Sequence, residues 1–297
     1  MKHTYVYALV EALNCNPNGD PSNSNYPRIL ELSPEVQRLE ISSYAIKRKM
    51  RYYWERQGEK IILPTIVHNK KTIPEAYKEA LGNLVKVGWK TKTDKEQVDM
   101  SELTFENLKE YKDSIFWLFM SGALTGLKPE LFDQLKQYSL QIPTTQSFHN
   151  YKDISHTFRK ANTTHFVSES GNNQGSIGSF CEVVYSLFPI VGFSLNSYST
   201  EERRGILDAI YYGFNENTTS SKNYVVKGVI VATTDMYIKK NYLSVNNEKD
   251  ITKPIEFIIS EKADTINLEH CQIIDETGKV KTIENITLRE ALESITS

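Results

Sequence analysis

Three cysteines in 297 residues, Cys15, Cys181 and Cys271, are odd in number and widely separated. They make no disulfide framework and supply no CxxC pair for zinc, so reduced thiols are expected. No apolar run approaches the roughly 20 residues that span a bilayer. The N-terminus lacks the basic-then-apolar pattern of a secretion signal, and a cytoplasmic protein without a membrane partner is the expectation. Positive charge is also short: the net charge is −2, whereas most nucleic-acid binders are basic because phosphates must be neutralised. Residues 241–297 hold 6 Lys+Arg against 11 Asp+Glu, leaving 29 against 26 in residues 1–240. The acidity is therefore concentrated in the C-terminal segment, and any nucleic-acid surface belongs elsewhere. No GxxxxGK[ST] phosphate loop, GxSxG elbow or HExxH helix occurs, and no repeat of 20–50 residues suggests a solenoid.

What is present is enough to fold. Apolar residues make up 39% of the chain and aromatics 11%, with 17 Tyr and 12 Phe, unlike the composition of disordered chains. The length suits one domain carrying large insertions. Thr4 to Ala12 is rich in β-formers with partial alternation and stops at the turn-dense Asn14-Cys15-Asn16-Pro17-Asn18-Gly19-Asp20-Pro21, so a strand followed by an ordered loop is expected. A helix is expected from Ser43 to Gln57, capped by Ser42 or Ser43 and ended at Gly58. At 100° per residue Ile46, Met50, Tyr53 and Trp54 share one arc, and Lys47, Arg48 and Arg51 a neighbouring one. Lys49 points away from the others and reads as solvated.

Residues 58–112 lack one clear period and read as an insertion. Ser114 to Met120 suits a buried strand or the end of a helix, and periodicity does not choose between them. Residues 143–179 are polar and turn-rich, an expected exposed excursion of the kind that is usually functional or disordered. Phe180 to Phe188 reads as a strand. A helix follows, opened by the capping-box pair Ser199 and Glu202 and closed by Gly213, and Tyr224 to Thr233 reads as a further strand. This order, β-α-insertion-β-excursion-β-α-β, is compatible with an α+β, ferredoxin-like split βαβ arrangement of the kind RNA-recognition-motif folds use.

The loop after the first strand carries Asn16, Asn18, Asp20, Ser22, Asn23, Ser24 and Asn25 between Pro17, Gly19, Pro21 and Pro27. Such residues cap their own turns, and they also donate to phosphates and riboses; both readings stand. The Lys47, Arg48 and Arg51 arc is a solvated face or a phosphate grip. His149, His156 and His165 fit no zinc spacing and read as scattered surface or RNA-facing side chains. Neither a metal nor a cofactor is expected.

Asn16-Pro17-Asn18-Gly19-Asp20-Pro21, then Asn25-x-Pro27-Arg28, then Lys47-Arg48-Lys49-Met50-Arg51 together resemble the opening of the Cas7 family, the Cascade backbone subunits of type I CRISPR systems, particularly the branch of subtypes I-B and I-C. Tyr185-Ser186-Leu187-Phe188-Pro189-Ile190-Val191-Gly192, the helix starting at Thr200-Glu201-Glu202, and Thr219-Ser220-Ser221-Lys222 follow in the family's order. The chain departs from the pattern at Tyr26 and Ser220, where the family tends to carry arginines, and both changes remove a positive charge from the expected RNA surface.

The resemblance implies an RNA-recognition-motif-like palm with a finger-like insertion, placed at 58–112, and a protruding thumb, placed at 148–177 with Lys152, Arg159 and Lys160. It implies several copies assembled in a filament on CRISPR RNA beside other Cascade subunits, with target DNA reached through guide pairing. Asn16, Asn18, Arg28, Lys47, Arg48, Arg51, Ser221 and Lys222 are the expected RNA contacts. No catalytic residue is expected. The rival readings are a metal-dependent endoribonuclease using Asp20, as in related type III backbone proteins, although a lone Asp more often caps amides, and a stand-alone RNA module, for which no RNP-like aromatic signature is present.

Overall fold

The computed structural model describes residues 1–20, 26–63, 79–82, 86–90, 95–99, 103–116, 124–125, 128–151, 156–159, 165–167, 174–176, 180–216, 222–246, 248 and 253–297. Strand β1, His3–Cys15, forms the centre of a mixed α+β fold. A hairpin follows, β2 (Ile29–Ser33) and β3 (Val36–Ile41), and then helix α1 (Ser43–Arg56). Helix α2 is Pro129–Tyr138 and β4 is Thr145–Asn150. Next come β5 (His156–Arg159), β6 (Phe180–Ser194), α3 (Thr200–Asn215) and β7 (Tyr224–Thr234). The chain closes with β8 (Asn267–Asp275), β9 (Val280–Ile283) and α4 (Leu288–Thr296).

The main sheet runs β5-β6-β1-β7-β8-β9, with a short seventh strand on β8. β1 is antiparallel to both neighbours, from Thr4↔Ser194 to Cys15↔Val183 on one side and from His3↔Thr234 to Ala12↔Tyr224 on the other. β6, α3 and β7 therefore make a split βαβ unit whose two parallel strands flank an antiparallel one.

Both faces of β1 are covered, which explains its incomplete alternation. Val6, Ala8, Val10 and Ala12 pack with Ile46 and Met50 of α1 and Ile206, Ile210 and Phe214 of α3. Tyr5, Tyr7 and Leu9 pack with Ile238 and Leu243 and with Leu288, Leu292 and Ile295 of α4. The acidic C-terminal segment, for which the sequence suggested no role, thus closes the second face of the sheet. Among the described residues no helix is long and apolar enough to cross a membrane. Cys15 and Cys271 are buried free thiols.

Local signals placed the two central helices well. Ser42 caps α1, its side chain accepting from Ala45 N at 3.2 Å, and Gly58 follows the helix at φ +75°, where a Cβ would be strained. Ser199 and Glu202 form the expected reciprocal box, Ser199 N donating to Glu202 Oε2 at 2.7 Å and Glu202 N to Ser199 Oγ at 3.2 Å. Gly213 does not end α3, however, which continues to Asn215. A Cβ there would stand 2.7 Å from the Lys49 carbonyl oxygen, so this glycine permits the close crossing of α3 over α1. Gly213→Ala is expected to force the helices apart and destabilise the protein by about 1–3 kcal/mol, read as a lower urea midpoint at unchanged m-value.

Two further expectations need correction. Residues 145–150 belong not to an exposed excursion but to β4, which pairs with β3 and buries Ser147, Phe148 and His149. The hydroxyls are satisfied internally: Ser147 Oγ accepts from Leu39 N at 3.1 Å and donates to His149 O at 2.7 Å, and Thr145 donates to Pro189 O. Residues 112–116 form a buried 3₁₀ turn in place of a strand or helix end, and 117–120 lie outside the described residues. Of the 58–112 insertion, Lys86–Lys90 and Lys95–Asp99 pair as a hairpin, and Phe105–Lys109 is a short helix.

Candidate nucleic-acid interface

The loop leaving β1 is tied down by the start of β7. Leu13 N donates to Asn223 O at 3.1 Å, the Cys15 thiol to the same oxygen at 3.3 Å, Tyr224 OH to Pro17 O and Lys222 Nζ to Asn16 O. Arg28 N donates to Asn18 O at 2.8 Å, and Gly19–Asp20 pairs with Tyr26–Pro27. The loop is thereby a fixed joint between β1, the hairpin and β7. Asn16 and Asn18 are 6% and 8% exposed, and their carbonyl oxygens hold Lys222 Nζ and Arg28 N, so as placed they serve the joint. Arg28 is half-buried beside it. Ser221 lies outside the described residues.

Lys49 enters this joint from α1 and is 7% exposed, which overturns the expectation of a solvated side chain. The helical spacing explains it. Lys49 stands three residues after Ile46 and three before Tyr52, and so flanks the arc of Ile46, Met50 and Trp54 on the side opposite Lys47. Its ammonium lies 4.2 Å from the Tyr224 ring centroid and 5.0 Å from that of Phe214, a cation–π setting that partly replaces water. No carboxylate among the described residues pairs with it. Burial, then the Lys222 ammonium, push its pKa down to about 7. Burial likewise lowers the pKa of Lys222.

The neighbouring basic arc divides into three different situations. Arg48 is exposed. Lys47 is half-buried, its ammonium 5.8 Å from the Phe116 ring centroid, and burial and Arg51 lower its pKa. Arg51 is an internal partner: its Nε lies 3.4 Å from Asp113 Oδ2, and that carboxylate is fully buried. Asp113 also accepts from Ile62 N at 2.9 Å and Leu63 N at 3.0 Å. Sequence reasoning missed Asp113 because nothing local distinguishes it from a surface acid.

The remaining site expectations are spread more widely. His149 is 1% exposed, packs edge-on against Tyr185, and burial lowers its pKa, so it is a core histidine and not a surface one. Lys152 and Lys160 lie outside the described residues. Arg159 ends β5, of which the backbone pairing with β6 is described. Among the described residues no three His, Cys, Asp or Glu side chains gather as a metal site.

Chemically, Lys49 and Lys222 form a seat of two neighbouring, partly desolvated ammonium groups on an aromatic floor, and no carboxylate among the described residues pairs with either. An incoming phosphate would relieve both the repulsion and the unpaired burial.

A family model described as CRISPR-associated protein Cas7 matches residues 2–270. A comparison with curated proteins gives no match. Among solved structures, a chain of a "CRISPR RNA-guided surveillance complex, pre-nicking" is similar at 14% identity and a TM-score of 0.37, covering 80% of each chain. A chain of a "CRISPR RNA-guided surveillance complex" is similar at 12% identity and a TM-score of 0.39, covering 80% of this chain and 72% of that one.

Proposed function

The chain belongs to the Cas7 family of CRISPR-associated proteins, and from that premise we propose that it is the CRISPR RNA-binding backbone subunit of a type I Cascade surveillance complex. Several copies coat one guide, beside other Cascade subunits, and present it for pairing with target DNA. The I-B/I-C-like branch is our reading of the opening motif and of Tyr185 to Gly192. The split βαβ unit around β1 supports an RNA-recognition-motif-like palm with the finger at 58–112, and the thumb expected at 148–177 starts only beyond Asn150, because 148–150 belong to β4.

The observation that carries this reading is the Lys49–Lys222 seat at the joint after β1. Holding a guide of any sequence requires contacts to its backbone, because pairing carries the specificity. Lys49, Lys222 and the exposed Arg48 suit that task, and Arg51 is assigned to the fold. Three phosphate contacts on a single strand give a log–log salt slope near −2 per copy, roughly 20-fold weaker binding from 50 to 200 mM salt. Co-purification with the products of neighbouring genes and sequencing of the bound RNA test the assignment. Uniform repeat-derived guides are expected, and random cellular RNA would overturn it.

The role is assembly without catalysis. With target RNA and Mg²⁺ the purified complex is expected to yield no cuts, in the wild type and in Asp20→Ala alike. Periodic cuts lost in Asp20→Ala would instead establish the endoribonuclease reading.

A further inference from the structure

The opposite flank of α1 borders a groove that the Lys49–Lys222 seat does not use. A cavity of about 420 Å³ opens between the first turns of α1, β6 and the segment after β7. Lys47 and Lys239 line it, together with the polar Ser43 and Gln141, and Ile142 and Phe193 provide apolar wall. It adjoins a second cavity of about 360 Å³ through their shared Pro143, Val191 and Lys239. The second holds one carboxylate, Glu248, which is engaged by Arg38 Nη2 at 2.9 Å. No carboxylate among the described residues pairs with Lys47 or Lys239, so within them the groove carries two positive charges without an acidic partner. Tyr237 stands beside it, 54% exposed, its ring 4.3 Å from that of Phe193 at 78° and 5.1 Å from the Lys239 ammonium.

Two cations over an apolar floor with an exposed aromatic ring suit a ligand that is anionic at one end and flat at the other. A single-stranded polynucleotide has that chemistry, because each base offers a stacking face and each linkage a phosphate. An acidic peptide would satisfy the lysines but leave Tyr237 and the apolar wall without a flat partner. The uninterrupted sheet face is unavailable, since Tyr5, Tyr7 and Leu9 are buried under the C-terminal segment. Lys47 and Lys49 flank the buried arc of α1 on opposite sides, and the exposed Arg48 lies between them on the outer surface.

We propose that this groove is a second RNA contact, in which the guide strand crosses α1 over Arg48, packs one base against Tyr237 and sets a phosphate between Lys47 and Lys239. This rests on the RNA-binding reading above and adds a base-stacking position to it.

The test uses the full chain and fluorescein-labelled octauridylate, followed by anisotropy across salt concentrations. Tyr237→Ala is expected to weaken binding about 10-fold with little change in salt slope, because stacking is not ionic. Lys239→Ala is expected to flatten the slope by about 0.7. Both residues are exposed, and unchanged thermal unfolding checks that the fold survives. As an independent reading, a 5-iodouridine version of the probe is expected to photocrosslink to the peptide containing Tyr237 in the wild-type protein.

Wild-type affinity and slope in both variants, with crosslinks only near Lys222, would overturn the groove while leaving the seat intact. Loss of self-association in Lys239→Ala at unchanged RNA affinity would make the groove a protein interface and also overturn it. A wild-type chain that ignores the probe altogether would remove the RNA-binding reading itself.

Discussion

Lys49→Met is expected to make the protein more stable and a poorer RNA binder at the same time. Methionine fills nearly the same volume on the Phe214 and Tyr224 rings and makes good sulfur–aromatic contacts. It removes an ammonium that burial and Lys222 both disfavour. Replacing an unfavourably buried charge by a fitting apolar side chain is expected to stabilise by about 1–3 kcal/mol. Loss of one charge-assisted phosphate contact is expected to weaken RNA binding roughly 10- to 100-fold. Denaturation and anisotropy on the same preparation check the two together. Weaker binding accompanied by lower stability would point to damage of the fold and remove Lys49 from the interface.

The pH behaviour has a defined sign. Lys49 titrates at about 7 in the folded protein against 10.5 for an ordinary lysine. Between those values the unfolded chain binds more protons, so this group's penalty is full below pH 7 and is relieved as pH rises toward 10.5. Relative to Lys49→Met, the wild type should therefore gain stability on going from pH 6.5 to 9. RNA binding should run the other way, weakening as pH climbs through 7, because the phosphate needs the protonated amine. The methionine variant should lose that component of the pH dependence.

Asp113→Ala carries the second large effect. It would leave the amides of Ile62 and Leu63 without this acceptor and remove the buried carboxylate beside the Arg51 guanidinium. Removing the buried acid of a charge pair costs about 3–5 kcal/mol, and at this chain length that lowers Tm by roughly 5–8 °C. Arg51→Ala should also destabilise, because it strands the buried carboxylate. A Tm for Asp113→Ala within about 2 °C of wild type would show that this pair does not hold α1 to the segment at 60–63. If Arg51→Ala weakened RNA binding at unchanged Tm, its place would be at the guide.

The parts of the fold legible in the sequence are those written in local order. β1, β6 and β7 are runs of β-formers, and α1 and α3 carry their caps at Ser42 and Ser199, three residues before the amides those caps bind. The hairpin β2–β3, strand β4 and the C-terminal β8–β9–α4 were not legible. Thr145 and Ser147 look exposed until distant partners at Pro189 and Leu39 take up their hydrogen bonds, and His149 until it packs on the Tyr185 ring.

The site divides in the same way. The motif from Asn16 to Arg51 identified the region, because residue types and spacing are properties of the chain alone. Which of its charges are available was a tertiary matter. Lys49, read as solvated, is buried against rings from α3 and β7, and Arg51, read as an RNA contact, is engaged by an acid 62 positions away. Sequence fixes where a side chain leaves its helix, to within the 100° step. Whether it then meets water, an aromatic floor or a buried carboxylate depends on which distant segments pack there, and desolvation and pairing energies follow from that contact alone.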